Sequence, residues 1–337
     1  MQLSPMRLEP EDEFPHVPDE QENFNESVYV NAFDARQRVG GWARLGNRVN
    51  EGHAELSVCL YLPDGRVACQ FLRPPITTND AFEAGGLRYN VSEPFNRLAI
   101  RYEGELMLLD DPSSMRDPRE VLAHAPRVPG TVSWNFWSVS PAHGGEPSRP
   151  EHAEQMFYGP DFSRGHFNQH VAARGTIAIG DERWDLDGGG WRDHSWGPRY
   201  WQAIWAYRLF VANFDDGRGF MLLKRLLETG GSRRLGVLLI DGAYEEILDL
   251  DVVTRWSPEH DPLGATITLR TEHHQEQIDA RVITMVPLRN RRQAGGETLV
   301  SRVAEGFTEF TWGGRVGYGM TEYIERLEDG VPVGYPL

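Results

Sequence analysis

Short runs in which apolar and polar residues alternate, separated by turn residues, dominate the chain from Glu26 onward. A period of two sends successive side chains to opposite faces, the signature of half-buried β-strands. Glu55–Leu62 and Arg66–Leu72 flank Asp64-Gly65, a strong hairpin signal. Arg97–Leu109, with Arg101, Glu103 and Glu105 on one parity, predicts a long strand, and Gly130–Val139 another. His170–Ile179 and Arg183–Leu186 flank Gly180-Asp181 and predict a second hairpin. Downstream, Ala203–Ala212, Gly219–Leu227, Leu235–Ile240, Glu245–Trp256, Ala265–Thr271, Gln277–Val286, Thr298–Phe310 and Arg315–Glu325 read as further strands. Helical spacing is confined to Pro118–His124 and Pro198–Gln202, a turn or two each. So many strands without interleaved helices predict an all-β fold of antiparallel sandwiches or barrels.

At 337 residues the chain is long for a single core and comfortable for two domains. The division is expected near Leu186: an extended acidic arm over 1–24, one β domain over 25–186 and a second over 187–337. The proline- and glycine-bearing segment 140–165 is expected to pass over the mouth of a cavity. A net charge of −16 disfavours nucleic acid and anionic membrane surfaces as partners. No stretch approaches the roughly 20 apolar residues of a membrane span. Met1–Phe14 has no apolar core of a signal peptide, so a cytoplasmic location is expected. The two cysteines, Cys59 and Cys69, flank the first hairpin. A cytosolic setting argues against a disulfide between them, and their spacing makes a poor zinc site.

The densest chemistry lies in Gly188-Gly189-Gly190-Trp191-Arg192-Asp193-His194-Ser195-Trp196-Gly197-Pro198-Arg199. Successive glycines permit a tight turn or a close backbone approach. Asp193 beside His194 offers a proton donor and a partner to orient it. Trp191 and Trp196 offer flat faces to an apolar ligand or a cation. The plainer alternative is a structural ion pair of Asp193 with Arg192 or Arg199, with the tryptophans as core. His166 and His170 share one strand face but lack a third ligand, and no metal site is expected.

Arg174-Gly175-Thr176-Ile177, Asp187-Gly188 and Trp191-Arg192-Asp193-His194-Ser195-Trp196-Gly197 resemble the AttH-like and hydroxyneurosporene-synthase-like superfamily. Glu26-Ser27-Val28-Tyr29-Val30-Asn31 and Gly317-Tyr318-Gly319-Met320-Thr321-Glu322-Tyr323 resemble segments at matching ends of that family. The resemblance implies two lipocalin-like antiparallel β-barrel or sandwich domains packed side by side. It also implies chemistry on large apolar substrates without a redox cofactor, as in carotenoid hydratases and related cyclases. The family's His-x-Trp pair matches His194 and Trp196. The further Tyr and Asp of the carotenoid hydratases find no match at Gly219-Phe220-Met221-Leu222.

Hydrating or cyclising an alkene begins by protonating carbon, which a carboxylic acid in an apolar pocket can do if its pKa is raised. Asp193 is the first choice, with His194 orienting it or relaying its proton. Trp196, Trp191 and Tyr200 would face the carbocation, and Tyr323 the substrate. Arg192 and Arg199 would keep Asp193 ionised, which shifts the acid to Glu26 or Glu322. If Tyr323 faces outward from a barrel, Glu322 faces inward; alternatively Glu322 pairs with Arg315 or Arg326. The expected function is a cofactor-independent lyase or isomerase (hydratase, dehydratase or cyclase) on a terpenoid, steroid or polyketide-like substrate in a cavity near the domain interface. The alternatives are a non-catalytic carrier of such a molecule, and a motif that only locks two barrels together. A homodimer is compatible with all three.

Overall fold

The computed structural model describes residues 5–155 and 162–337. It divides into two compact units, Met1–Leu109 with Pro126–Tyr200, and Asp110–Ala125 with Trp201–Leu337. Unit 1 holds β1 (Met6–Arg7), β2 (Phe24–Asp34), β3 (Val39–Arg48), β4 (His53–Tyr61), β5 (Val67–Leu72), β6 (Phe82–Ala84), β7 (Leu87–Glu93), β8 (Arg97–Leu109), β9 (Arg127–Ser138), β10 (His143–Pro147), β11 (Gly165–Ile179) and β12 (Glu182–Pro198). Its strands run β11-β12-β2-β3-β4-β5-β8, and β9 pairs with both β8 and β11. Eight strands therefore close on themselves, which removes the exposed edges of an open sheet.

Inside unit 1 lies one apolar core, with Val28, Val30 and Ala32 of β2, Leu98, Ile100 and Tyr102 of β8, and Val171 and Ala173 of β11. β8 shows the alternation cleanly: these three residues are buried while Arg97, Arg101 and Glu103 are exposed. Cys59 and Cys69 face each other directly across β4 and β5, and both are buried.

Unit 2 holds α1 (Pro118–His124) and β13 (Ala206–Phe214), β14 (Gly219–Leu226), β15 (Ser232–Ile240), β16 (Ala243–Glu246), β17 (Asp249–Trp256), β18 (Pro262–Arg270), β19 (Gln275–Ala294), β20 (Glu297–Trp312), β21 (Arg315–Glu328) and β22 (Val331–Pro332). They form one antiparallel sheet in the order β16-β15-β14-β13-β21-β20-β19-β18-β17, with β22 on β21. Phe210, Phe220, Ile267, Phe310 and Tyr323 fill its core. The all-β expectation therefore holds. Among the described residues, no helix is long and apolar enough to cross a membrane.

Three features differ from the sequence reading. The units part after Tyr200 rather than near Leu186, because β12 runs on past that point, paired with β11 up to Trp196 and with β2 from Gly189 to Pro198. The glycine run consequently serves close approach within a strand rather than a turn. A Cβ on Gly188 would stand 1.9 Å from the Phe33 carbonyl oxygen, and one on Gly190 2.1 Å from that of Asn31. The N-terminal arm also packs along most of its length. β1 pairs with β10, a 3-10 turn covers Pro10–Glu13, and Asp12 and Glu13 are buried. Of the 140–165 segment, β10 and a turn over Pro150–Gln155 are described, whereas 156–161 lie outside the described residues.

Candidate functional site

The alternation that buries Val28 and Val30 also turns Glu26 inward, where it is fully buried. On β12 the same parity carries Arg192, His194 and Trp196, and Trp196 is the register partner of Glu26. Cross-strand neighbours lie close enough for side chains to meet. His194 Nε2 stands 2.6 Å from Glu26 Oε1. His16, on the docked arm, places Nδ1 2.8 Å from the same oxygen, and its backbone N–H donates to Glu26 Oε2 at 3.0 Å. Asn79 Nδ2 donates to that second oxygen at 3.3 Å and to the His16 carbonyl at 2.8 Å. Asp12 Oδ1 lies 3.3 Å from His16 Nε2.

Rings enclose the cluster. Trp196 stacks on His16 with centroids 4.1 Å apart, and Phe82, Phe167 and Trp196 stand edge-on to His194 at 5.2, 5.5 and 5.3 Å. His194 Nδ1 is buried among these rings with no hydrogen-bond partner among the described residues. Next to it, Arg192 is a buried cation. Its Nη1 donates to Glu13 Oε2 at 2.8 Å, its Nε to Gln169 Oε1 at 2.9 Å, and its Nη1 to the Tyr89 hydroxyl at 3.3 Å.

Burial alone would lift the Glu26 carboxyl, but hydrogen bonds from His16 and His194 outweigh it and hold Glu26 below the usual carboxylate range. Burial would lower His16, but hydrogen bonds and charge from Glu26 and Asp12 raise it above an ordinary histidine. At neutral pH Glu26 is therefore an anion held by two imidazoles rather than a carboxylic acid. The ligand atoms of His16, Glu26 and His194 all lie within 4.8 Å of one another and could hold a metal ion. As placed, the two nitrogens stand at charge-assisted hydrogen-bond distance from Glu26.

These shifts predict a pH profile of stability. Glu26 contributes fully above its ordinary 4.5, and that contribution is lost as pH falls through its lower folded value. His16 contributes fully below its ordinary 6.5, and that contribution is lost as pH rises through its higher folded value. The cluster is expected to stabilise unit 1 most between about pH 4.5 and 6.5. The groups facing His16 are Asp12, Glu26 and His194, with Arg7 3.9 Å from Asp12. Melting curves at pH 5.5 and 8.5 for the native chain and His16→Gln test this. The native chain should lose more melting temperature toward pH 8.5 than the variant, and equal losses would refute a protonated His16.

The other residues singled out by sequence fall elsewhere. Asp193 has the opposite parity to its neighbour His194 and is partly exposed, with His166 Nε2 at 3.8 Å. Trp191 is on that face too, edge-on to His170 at 4.8 Å. Arg199 donates to Ser195 Oγ at 2.5 Å and lies over the Phe162 ring, and Tyr200 is half-buried at the end of unit 1. In unit 2, Tyr323 points into the core and shares a hydrogen bond of 2.8 Å with Thr254, and burial pushes its phenol up to about 12. Its neighbour Glu322 therefore faces away from that core and accepts from the Tyr207 hydroxyl at 2.5 Å. A surface groove lined by Glu83, Arg88, Arg101, Glu103 and Ser133 shares none of the cluster's residues.

Sequence reasoning missed His16, Asp12, Glu13, Asn79 and Gln169. Strand parity would have joined Arg192, His194 and Trp196 and set Asp193 apart. No local pattern would have brought in the arm.

A closed lipocalin-type barrel in unit 1 with a buried carboxylate–imidazole cluster defines the class, and solved structures agree on the fold. A putative AttH from Nitrosomonas europaea is 15% identical with TM-score 0.63, covering 96% of this chain and 100% of its own. CghA, solved with Sch210972, is 12% identical with TM-score 0.60, covering 91% and 89%. Kievitone hydratase from Nectria haematococca is 11% identical with TM-score 0.56, covering 95% and 93%. These likenesses are of fold. The chain belongs to the family described as Domain of unknown function (DUF7064), which matches residues 9–326. No curated protein matches it.

Proposed function

We propose that this protein is a hydratase- or cyclase-type enzyme that moves a proton at His194 Nδ1 on a hydrophobic small molecule. The observation that carries this reading is the buried His194 ring, fixed through Nε2 by ionised Glu26 while Nδ1 stands unpartnered among Phe82, Phe167 and Trp196. A carboxylate that holds one imidazole nitrogen fixes the ring's orientation and its tautomer, and supports charge on the ring when the other nitrogen takes a proton. His16, with its side chain 22% exposed, links Glu26 to solvent and resupplies protons. Kievitone hydratase, a hydratase by name, supports this class of chemistry.

The strongest acid here is an imidazolium, not a carboxylic acid of raised pKa. An imidazolium is too weak to protonate an isolated alkene readily, but it suits a double bond polarised by conjugation to a carbonyl. The substrate is accordingly an apolar, terpenoid- or polyketide-like molecule bearing an enone, an enol or a hydroxyl β to a carbonyl. In hydration, the polarised alkene gains a proton at one carbon and a water oxygen at the other, and the water's second proton returns to the relay. Dehydration reverses these transfers. Glu26 and His194 are buried, so part of their cover must move for substrate to enter.

Organic extraction of the natively purified protein, followed by mass spectrometry, should yield an apolar compound with such a group. Incubating that compound with the protein in D2O should place deuterium on carbon. A compound that is bound but returned unlabelled would establish the carrier reading instead.

A further inference from the structure

The polar end of unit 2 carries more positive charge than it neutralises. Arg289 of β19 and Arg302 of β20 are direct register partners. Cross-strand partners share a face, and like charges there repel. Arg302 is buried and uses Asp261 at 3.4 Å and Glu325 at 2.5 Å. Both carboxylates are already shared: Asp261 also pairs with Arg116, and Glu325 with Arg208 at 3.8 Å. Arg289 Nη1 is buried without a hydrogen-bond partner among the described residues, as is Arg302 Nε. Arg291, two residues along β19 on the same face, adds an exposed cation. Among the described residues, two carboxylates, Asp261 and Glu325, thus serve Arg302, Arg116 and Arg208, and neither forms an ion pair with Arg289.

We propose that Arg289, with Arg302 and Arg116 beside it, forms a binding site for a small oxyanion, a carboxylate or phosphate group. The guanidinium fork matches both groups in a bidentate geometry, and a buried N–H without an acceptor is the donor such a ligand would satisfy. In keeping with this, burial together with the charges of Arg302, Arg116 and Arg291 makes the cationic form of Arg289 harder to hold, and the opposing charge of Asp261 does not offset them. An anion would relieve the repulsion. The site lies wholly in unit 2 and does not rest on the chemistry proposed for Glu26 and His194.

Titration calorimetry with inorganic phosphate and, separately, acetate at matched ionic strength tests the site on the full chain. The native protein should bind one of the two saturably, one per chain, and the tighter of the two identifies the group. Arg289→Gln should weaken that binding about tenfold or more, the loss expected for one charge-assisted contact. In chloride alone Arg289→Gln should melt no lower than the native chain, since it removes a repelled cation. Arg270→Gln, at an exposed position on β18, should bind as the native chain does. No saturable binding of either anion, or undiminished binding by Arg289→Gln, would overturn the proposal.

Discussion

Replacing Glu13 with glutamine is expected to cost on the order of 3–5 kcal/mol, as removing one partner of a buried ion pair does. Both side chains are about 1% exposed, so the Arg192 guanidinium left behind has no water to turn to. Gln169 would still accept from it at 2.7–2.9 Å, but a neutral carbonyl oxygen does not cancel a charge. Glu13 Oε1 also accepts the Phe95 backbone N–H at 2.6 Å, a contact glutamine can keep only by aiming its carbonyl that way. For a unit of this size the loss corresponds to roughly 10 °C in melting temperature. The double variant Glu13→Gln, Arg192→Met should recover much of it, because a buried pair replaced by apolar groups is often neutral. Calorimetric melting of the three chains decides the matter. A Glu13→Gln chain that melts within a degree of the native one would mean that Arg192 finds another counter-charge.

His194→Gln should lower turnover, read as deuterium incorporation in D2O, by about 10²–10⁴-fold, the usual worth of a positioned acid or base. Glutamine can still donate to Glu26, so folding and ligand retention should survive. That split separates an enzyme from a carrier. His16→Gln should act more mildly and mainly move the pH profile, because it acts through Glu26 rather than on the substrate. Asp193→Asn should leave turnover near the native level, given its opposite parity. Should Asp193→Asn abolish labelling while His194→Gln does not, the catalytic face would be the other side of β12.

The all-β fold was legible wherever alternation is strict. β8 and α1 lie where their patterns place them, and the Asp64-Gly65 turn joins β4 to β5. Legibility failed where close packing replaces alternation. Gly188 and Gly190 have no side chains to alternate, so a strand of 17 residues read as a short hairpin arm followed by a linker. β19 and β20 likewise extend past their apolar stretches, into Arg289-Asn290-Arg291-Arg292 on one and Glu297 on the other. The site was half legible. Glu26 and His194 stood out by residue type, but their pairing required a register that only the folded barrel supplies. Asp12, Glu13 and His16 read as a solvated acidic arm, because their burial depends on partners far along the chain.

That separation has a consequence during synthesis. Glu13 waits 179 residues for Arg192, and Glu26 waits 168 for His194. At 5–20 residues per second the wait is about 10–40 s on the ribosome. β2 can pair with β3 early, but its other edge stays open until β12 emerges. For that interval the edge is exposed to wrong partners. The nascent chain meanwhile carries its acidic arm unburied, and self-repulsion among those carboxylates discourages association until the last strand of the barrel emerges and the arm docks.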